Sequence, residues 1–208
     1  MGTISYLRSV AADSPIAVNG KVPPRRRRNA EVRGREYLTA AEVELLIDAA
    51  KPAGRYGGRD AAMILLVYRH GLRVSELCGL RWDQVDFASA RLAVRRAKGG
   101  VEGGHPLSGR ELRALRPLKG SGPWVFANER GGPMTPAGVR KIVARAGRLG
   151  GLEVTVHPHM LRHGCGYALA NRGTPTRTIQ EYLGHRSIAS TAIYTALAER
   201  QFVGLWED

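Results

Sequence analysis

From Leu38 onward the chain reads as a series of short helices, several opened by a capping residue or proline and most closed by a glycine. Thr39-Ala-Ala-Glu42 has the spacing of a capping box, with Leu38 and Val43 placed to close over it as a hydrophobic staple. A helix is expected over about 40–50, stopped by Pro52 and Gly54. A second fits Arg59–Arg69, with Ala62, Leu65, Leu66 and Tyr68 among its buried positions and Gly71 as its stop. Ser75–Leu80 reads as a short third helix, and Ser108 caps another that runs to about Leu115. Pro136–Leu149 closes at Gly150-Gly151, His159–Asn171 at Gly173, and Thr176–Leu183 at Gly184; Ser187–Ala198 is the last helix. One stretch breaks this period. Arg91–Ala97 is strand-like, Lys98-Gly99-Gly100 is a turn, and Val101–Leu107 returns as the second strand of a hairpin. The pattern therefore specifies a mainly α fold with a small antiparallel β-sheet or hairpin (α+β).

Several function classes are excluded at this level. The longest apolar run, Ala61–Tyr68, is far too short to span a membrane, and the N-terminal residues lack the apolar core of a secretion signal. Cys78 and Cys165 sit in apolar, helix-like contexts and read as reduced core thiols, which fits a cytoplasmic, nucleoid-associated protein. Neither GxxxxGK[ST] nor GxGxxG is present, which argues against ATP and dinucleotide chemistry.

Charge points to a polyanionic partner. The formal net charge is +14, and arginine outnumbers lysine 27 to 5. A guanidinium grips phosphate through two parallel N–H donors, which an ammonium cannot do. Residues 1–35 carry a net +6, show no apolar periodicity, and contain Pro23-Pro24 followed by Arg25, Arg26, Arg27 and Arg28. They read as a flexible basic arm, either lying along a phosphate backbone or serving as a solvated leader. The folded part is expected over 36–208.

Four segments concentrate polar chemistry between apolar positions: 71–77, 95–100, 157–164 and 183–194. Taken singly, each has a plain structural reading. Arg73 and Glu76 stand three apart on a helix and could form a surface pair worth roughly 0.5 kcal/mol. Lys98 occupies a turn. His159 and His163, one helical turn apart with His157 and Cys165 nearby, could share a metal; but residues 154–180 hold no Asp or Glu to serve as its general base. His159 and Arg162 near a helix N-terminus could equally face an anion such as phosphate. Tyr194 is one of seven tyrosines.

Together, and in this order, the segments are specific. Gly71-Leu-Arg-Val-Ser-Glu-Leu77, a hairpin lysine, His159-x-Leu-Arg-His163, and Leu183-Gly-His185 followed by Thr191-x-x-Tyr194 resemble the catalytic boxes of the tyrosine recombinase (phage integrase) family. Residues 156–173 and 179–196 are similar to the short fimbrial phase-variation members. The resemblance covers roughly residues 36–208. It implies the fold of a tyrosine recombinase catalytic domain, and an enzyme that cleaves a DNA strand through a 3′-phosphotyrosyl intermediate and rejoins it to a 5′-hydroxyl. Inversion, phase variation or integration would be the outcome. Bond energy is kept in the covalent intermediate, so neither ATP, a metal nor another cofactor is implied. Carried onto matching positions, Tyr194 is the nucleophile. Arg73, Arg162 and His185 hold the non-bridging oxygens, His159 takes or relays the phenolic proton, and Lys98 protonates the leaving 5′-oxygen. Glu76 orients Arg73, and His163 is supportive. The alternative is a regulator of the same fold that binds DNA and has lost catalysis; six filled catalytic-type positions favour the enzyme.

The family usually carries a helical DNA-binding domain before the catalytic one. Only about 35 residues precede it here, as in the short fimbrial members, which implies weak monomer binding to double-stranded DNA and reliance on a homotetramer or DNA-bending helper proteins. The apolar end Phe202, Val203, Leu205 and Trp206 fits docking on a neighbouring subunit, against folding back on its own domain.

Overall fold

The computed structural model describes residues 36–96 and 103–195. The basic arm, the turn Lys98-Gly99-Gly100 and the tail from residue 200 lie outside them. α1 (Ala40–Ala50) opens on the capping box: the Thr39 hydroxyl accepts from the Glu42 N–H at 3.3 Å, and the Glu42 carboxylate accepts from the Thr39 N–H at 2.8 Å. The staple residues Leu38 and Val43 are both buried. α2 (Gly57–His70) begins two residues before the expected Arg59, and ends where Gly71 turns left-handed at φ +56°. α3 (Val74–Cys78) is shorter than expected, because Gly79 interrupts it. α4 (Gly109–Leu115) carries a second capping box, Ser108 with Glu111. α5 (Pro136–Leu149), α6 (Pro158–Ala170), α7 (Thr176–Leu183) and α8 (Ala189–Thr195) complete the helices. α8 starts two residues later than expected, and its expected continuation past residue 195 lies outside the described residues.

α2 is the central element. Ala61–Val67 are buried without interruption, because α1, α4 and α6 all pack on it. Such a run cannot show one-face periodicity, which is why the sequence there is apolar all round. The main core joins Val43, Leu46 and Ile47 of α1 to Ile64 and Leu66 of α2, Val139 and Val143 of α5, and Met160 and Leu161 of α6. A second, smaller cluster holds the last three helices together: Cys165, Ala170, Ile179, Leu183 and Tyr194.

The hairpin belongs to a three-stranded antiparallel sheet, β1 (Val85–Asp86), β2 (Arg91–Val94) and β3 (Gly103–Pro106), in the order β1-β2-β3. Leu92 pairs with Val85 on one side and His105 on the other, and all three are buried. β2 stops at Val94, three residues before its expected end. β1 escapes sequence reading because its turn contains no Gly or Pro. Asp86 Oδ1 accepts from the N–H groups of Ala88 and Ser89, and Ala90 takes φ +52°, a left-handed conformation usually left to Gly or Asn.

Gly71 joins α2 to α3 and lies against α7. A Cβ there would collide with Leu183 Cδ2, and the left-handed backbone disfavours any L side chain. Gly71→Ala is therefore expected to destabilise the fold by about 2–4 kcal/mol from strain and overpacking. That should appear as a fall in melting temperature of roughly 5–15 °C. An unchanged melting temperature would mean that α7 does not sit against this turn.

Candidate active site

The C-terminal end of α7 organises the polar residues. The last carbonyls of a helix have no partner within it and form its negative pole. Gly184 ends α7 at φ +63°, and three successive carbonyls each accept from a different arginine. The Tyr182 carbonyl takes Arg96, the Leu183 carbonyl takes Arg162 Nη2 at 2.7 Å, and the Gly184 carbonyl takes Arg73 Nη2 at 3.0 Å. A Cβ on Gly184 would lie 2.8 Å from Arg96 Cδ, so glycine there serves both the turn and the close approach.

Each arginine has a second anchor. Arg73 caps the start of α3, and its Nη1 donates to Glu76 Oε1 at 2.8 Å while its backbone N–H donates to Glu76 Oε2 at 2.8 Å. Arg96 Nη1 donates to the same Oε2 at 2.9 Å. Arg162, on α6, also donates to the Gly71 carbonyl. The expected surface pair of Arg73 and Glu76 is thus corrected: the Glu76 side chain is buried and clamps two guanidinium groups, and of the pair only Arg73 reaches out, its side chain 34% exposed. Arg162 is 2% exposed. Burial, together with the like charges of Arg73 and Arg96, lowers its pKa to about 10. Three guanidinium groups with one carboxylate, Glu76, among them leave a positive site suited to an anion.

Tyr194 and the histidines form the other wall. The Tyr194 ring packs against Tyr167 (5.1 Å between centroids) and lies near-parallel to His185 at 6.1 Å. A Cβ on Gly166 would lie 2.6 Å from the same ring. Its hydroxyl is 2.9 Å from His163 Nδ1. His163 in turn meets the His159 ring edge-on at 4.3 Å. The family resemblance assigns the phenolic proton to His159 and support to His163; in the structure His163 touches the hydroxyl, with His159 behind it. His185 Nδ1 is 2.9 Å from Thr191 Oγ1, and the Gln180 side chain holds the His185 carbonyl at 3.1 Å. Among the described residues no three His, Cys, Asp or Glu side chains are grouped to hold a metal ion.

Electrostatics fit the geometry. Burial raises the Tyr194 pKa to about 12, against the pull of Arg162, so the phenol is neutral at neutral pH and would need a proton acceptor to act as a nucleophile. Burial and nearby positive charge lower His163 and His185 to about 4, and His159 is lowered for the same reasons. These histidines are neutral at neutral pH and free to accept a proton.

The same shifts predict a pH dependence of stability. Below its ordinary value near 6.5, the unfolded chain's histidines take up protons while His163 and His185 in the fold do not. Stability present above pH 6.5 should therefore be lost as the pH falls toward 4. Melting temperature at constant ionic strength should drop across that window; a flat or rising profile would contradict the burial of these rings.

Arg73, Glu76, His159, Arg162, His185 and Tyr194 thus converge from α3, α6 and the α7–α8 segment. Lys98 and Arg25–Arg28 lie outside the described residues. Arg96 was not singled out from the sequence, although the alternation Leu92, Val94, Arg96 places it on the buried face.

Comparison with known proteins follows the same residues. The model of the phage integrase family matches residues 36–201. The type 1 fimbriae regulatory protein FimE of Escherichia coli K12 is 42% identical over 182 residues, covering 83% of this chain and 91% of that protein. The type 1 fimbriae regulatory protein FimB of the same strain is 39% identical over 186 residues, covering 86% of this chain and 92% of that one. Among solved structures, that of XerA recombinase superposes with a TM-score of 0.69 at 28% identity, over 79% of this chain and 61% of the other. Among the described residues, no helix is long and apolar enough to cross a membrane.

Proposed function

The chain belongs to the phage integrase family, and from that premise we propose that it is a tyrosine recombinase that cuts and rejoins double-stranded DNA with Tyr194 as nucleophile. The observation that carries this reading is the positive cluster of Arg73, Arg96 and Arg162 beside a buried phenol whose hydroxyl meets a neutral histidine.

The Tyr194 oxygen attacks a backbone phosphorus, forming the 3′-phosphotyrosyl bond as the bond from phosphorus to the 5′-oxygen breaks. The phenolic proton passes to His163 and on toward His159. Lys98 supplies a proton to the departing 5′-oxygen. Charge building on the two non-bridging oxygens is met by Arg73, Arg162 and His185, whose directed donors are worth more in a water-poor site than in bulk solvent. Glu76 holds Arg73 in place. Rejoining is the reverse, with a 5′-hydroxyl from either the original or a second strand.

DNA is the partner this chemistry requires. The net charge of +14, with Arg25–Arg28 in the preceding arm, supports added backbone contact that weakens with salt. Assembly as a homotetramer on DNA through the apolar end of the chain, assisted by DNA-bending proteins, in a cytoplasmic, nucleoid-associated setting, belongs to the same proposal. The resemblance of residues 156–173 and 179–196 to the short fimbrial phase-variation recombinases supports inversion as the outcome. Inverted repeats around a promoter beside the gene would agree with it; an attachment site beside phage genes would indicate integration instead.

The test uses nicked duplexes made from the DNA flanking the gene. Purified protein, without ATP and with EDTA in excess, is expected to form an SDS-resistant protein–DNA complex in the same yield as without chelator. A complex that disappears with EDTA, or forms only with ATP, would overturn the mechanism.

A further inference from the structure

Behind the arginine cluster runs a second buried polar chain that the reaction above does not use. His70 closes α2, His105 faces inward from β3, and Glu111 stands in the first turn of α4. All three are nearly inaccessible. His70 Nε2 lies 2.7 Å from Glu111 Oε1, His70 Nδ1 lies 3.3 Å from His105 Nδ1, and His105 Nε2 faces Arg96 Nη2 at 3.5 Å, beside the His70 and Tyr182 carbonyls that accept from the same Nη2. Glu111 is itself fixed by Ser108, whose hydroxyl and N–H donate to Oε2 at 2.7 and 2.9 Å. The Tyr182 ring covers His105 at 4.0 Å between centroids.

Arg96 sets the proton positions along this chain. A guanidinium can only donate, so the His105 nitrogen that faces it carries no proton. His105 is then neutral, with its proton on Nδ1, donated to His70 Nδ1; His70 in turn sets Nε2 against the Glu111 carboxylate. Burial first, then the neighbouring His70 and Arg96, lower the His105 pKa to about 3, which agrees with a neutral ring. One directional chain therefore links Glu111, through His70 and His105, to Arg96. Arg96 passes it on to Glu76 and the end of α7, from which Arg73 and His185 are held.

The geometry points to His105 as a positioning residue for DNA strand cleavage: it fixes Arg96, and Arg96 holds Glu76 and the C-terminus of α7 so that Arg73 and His185 meet the phosphate. Leucine or valine would suit an inward sheet position beside Leu92 and Val85 on packing grounds alone. A histidine there costs desolvation, and the return is an acceptor aimed at Arg96. Residues that orient others in a site in this way commonly change rates by 10–100-fold when lost.

This inference rests on the recombinase reading, and the test separates the two. Single-turnover cleavage of a nicked DNA substrate, DNA affinity and melting temperature are measured for the full chain carrying His105→Leu, His105→Asn or His105→Gln. The Gln amide can place an oxygen where Nε2 faces Arg96. The Asn amide reaches only the Nδ1 position and serves His70 alone. Cleavage is expected to fall about 10–100-fold in His105→Leu and His105→Asn, and to stay within about threefold of wild type in His105→Gln, with DNA affinity unchanged in all three. If His105→Leu does not fold, the Asn and Gln pair carries the comparison. Rates that track melting temperature alone, with no advantage of Gln over Asn, would assign His105 a purely structural role and overturn the inference. Wild-type protein that forms no covalent complex would instead overturn the recombinase reading, and this one with it.

Discussion

Tyr194→Phe is expected to abolish the covalent protein–DNA complex while leaving DNA affinity within about twofold. The change removes one oxygen and keeps the ring that fills the space against Gly166, Tyr167 and His185. The lost hydrogen bond leaves His163 Nδ1 without its phenolic partner, at a cost of about 0.5–1.5 kcal/mol, too little to unfold the domain. Chemistry, by contrast, loses its only attacking atom. Affinity comes chiefly from arginines and backbone donors on phosphates, which the substitution does not touch. The SDS-resistant complex on a nicked substrate should vanish, with gel-shift affinity preserved. A complex of undiminished yield would move the nucleophile to another of the seven tyrosines.

The second large effect separates two arginines that look alike in sequence. Arg73→Ala and Arg162→Ala should each slow strand cleavage by on the order of 10²–10³-fold, the usual consequence of losing one preorganised donor to a developing oxyanion. Their stability costs should differ. Arg73 is partly exposed, and its removal leaves Glu76 still paired with Arg96. Arg162 is buried across two elements, and its removal strands the Gly71 and Leu183 carbonyls. That should cost about 2–5 kcal/mol. Chemical denaturation beside single-turnover kinetics would show Arg73→Ala slow but nearly as stable as wild type, and Arg162→Ala both slow and less stable. Normal cleavage by Arg162→Ala, at a temperature where it remains folded, would remove that residue from the phosphate site.

How much of this was legible in the chain depends on the kind of signal involved. Helix ends were, because capping is local: the box at Thr39, the cap at Ser108 and the stops at Gly71, Gly150 and Gly184 are written within a few residues. β1 was not, because it owes its existence to pairing with β2, and its turn relies on the Asp86 side chain and a left-handed Ala90. The burial of Glu76 was missed because i,i+3 spacing records only the partner on its own helix; Arg96, twenty residues away, arrives through the sheet. His163 looked supportive because linear order says nothing about which ring of an i,i+4 pair faces α8. Arg96 itself was readable from the alternation of β2, and His105 only from its register opposite Leu92.

In the proposed reaction the Tyr194 oxygen becomes bonded to a DNA phosphorus. The most direct measurement traps the covalent complex on a nicked duplex, digests both protein and DNA, and locates the nucleotide-bearing peptide by mass spectrometry. A single modified residue, Tyr194, carrying a 3′-linked nucleotide is expected. A nucleotide found on any other side chain, or cleaved DNA with no linked peptide at all, would contradict it.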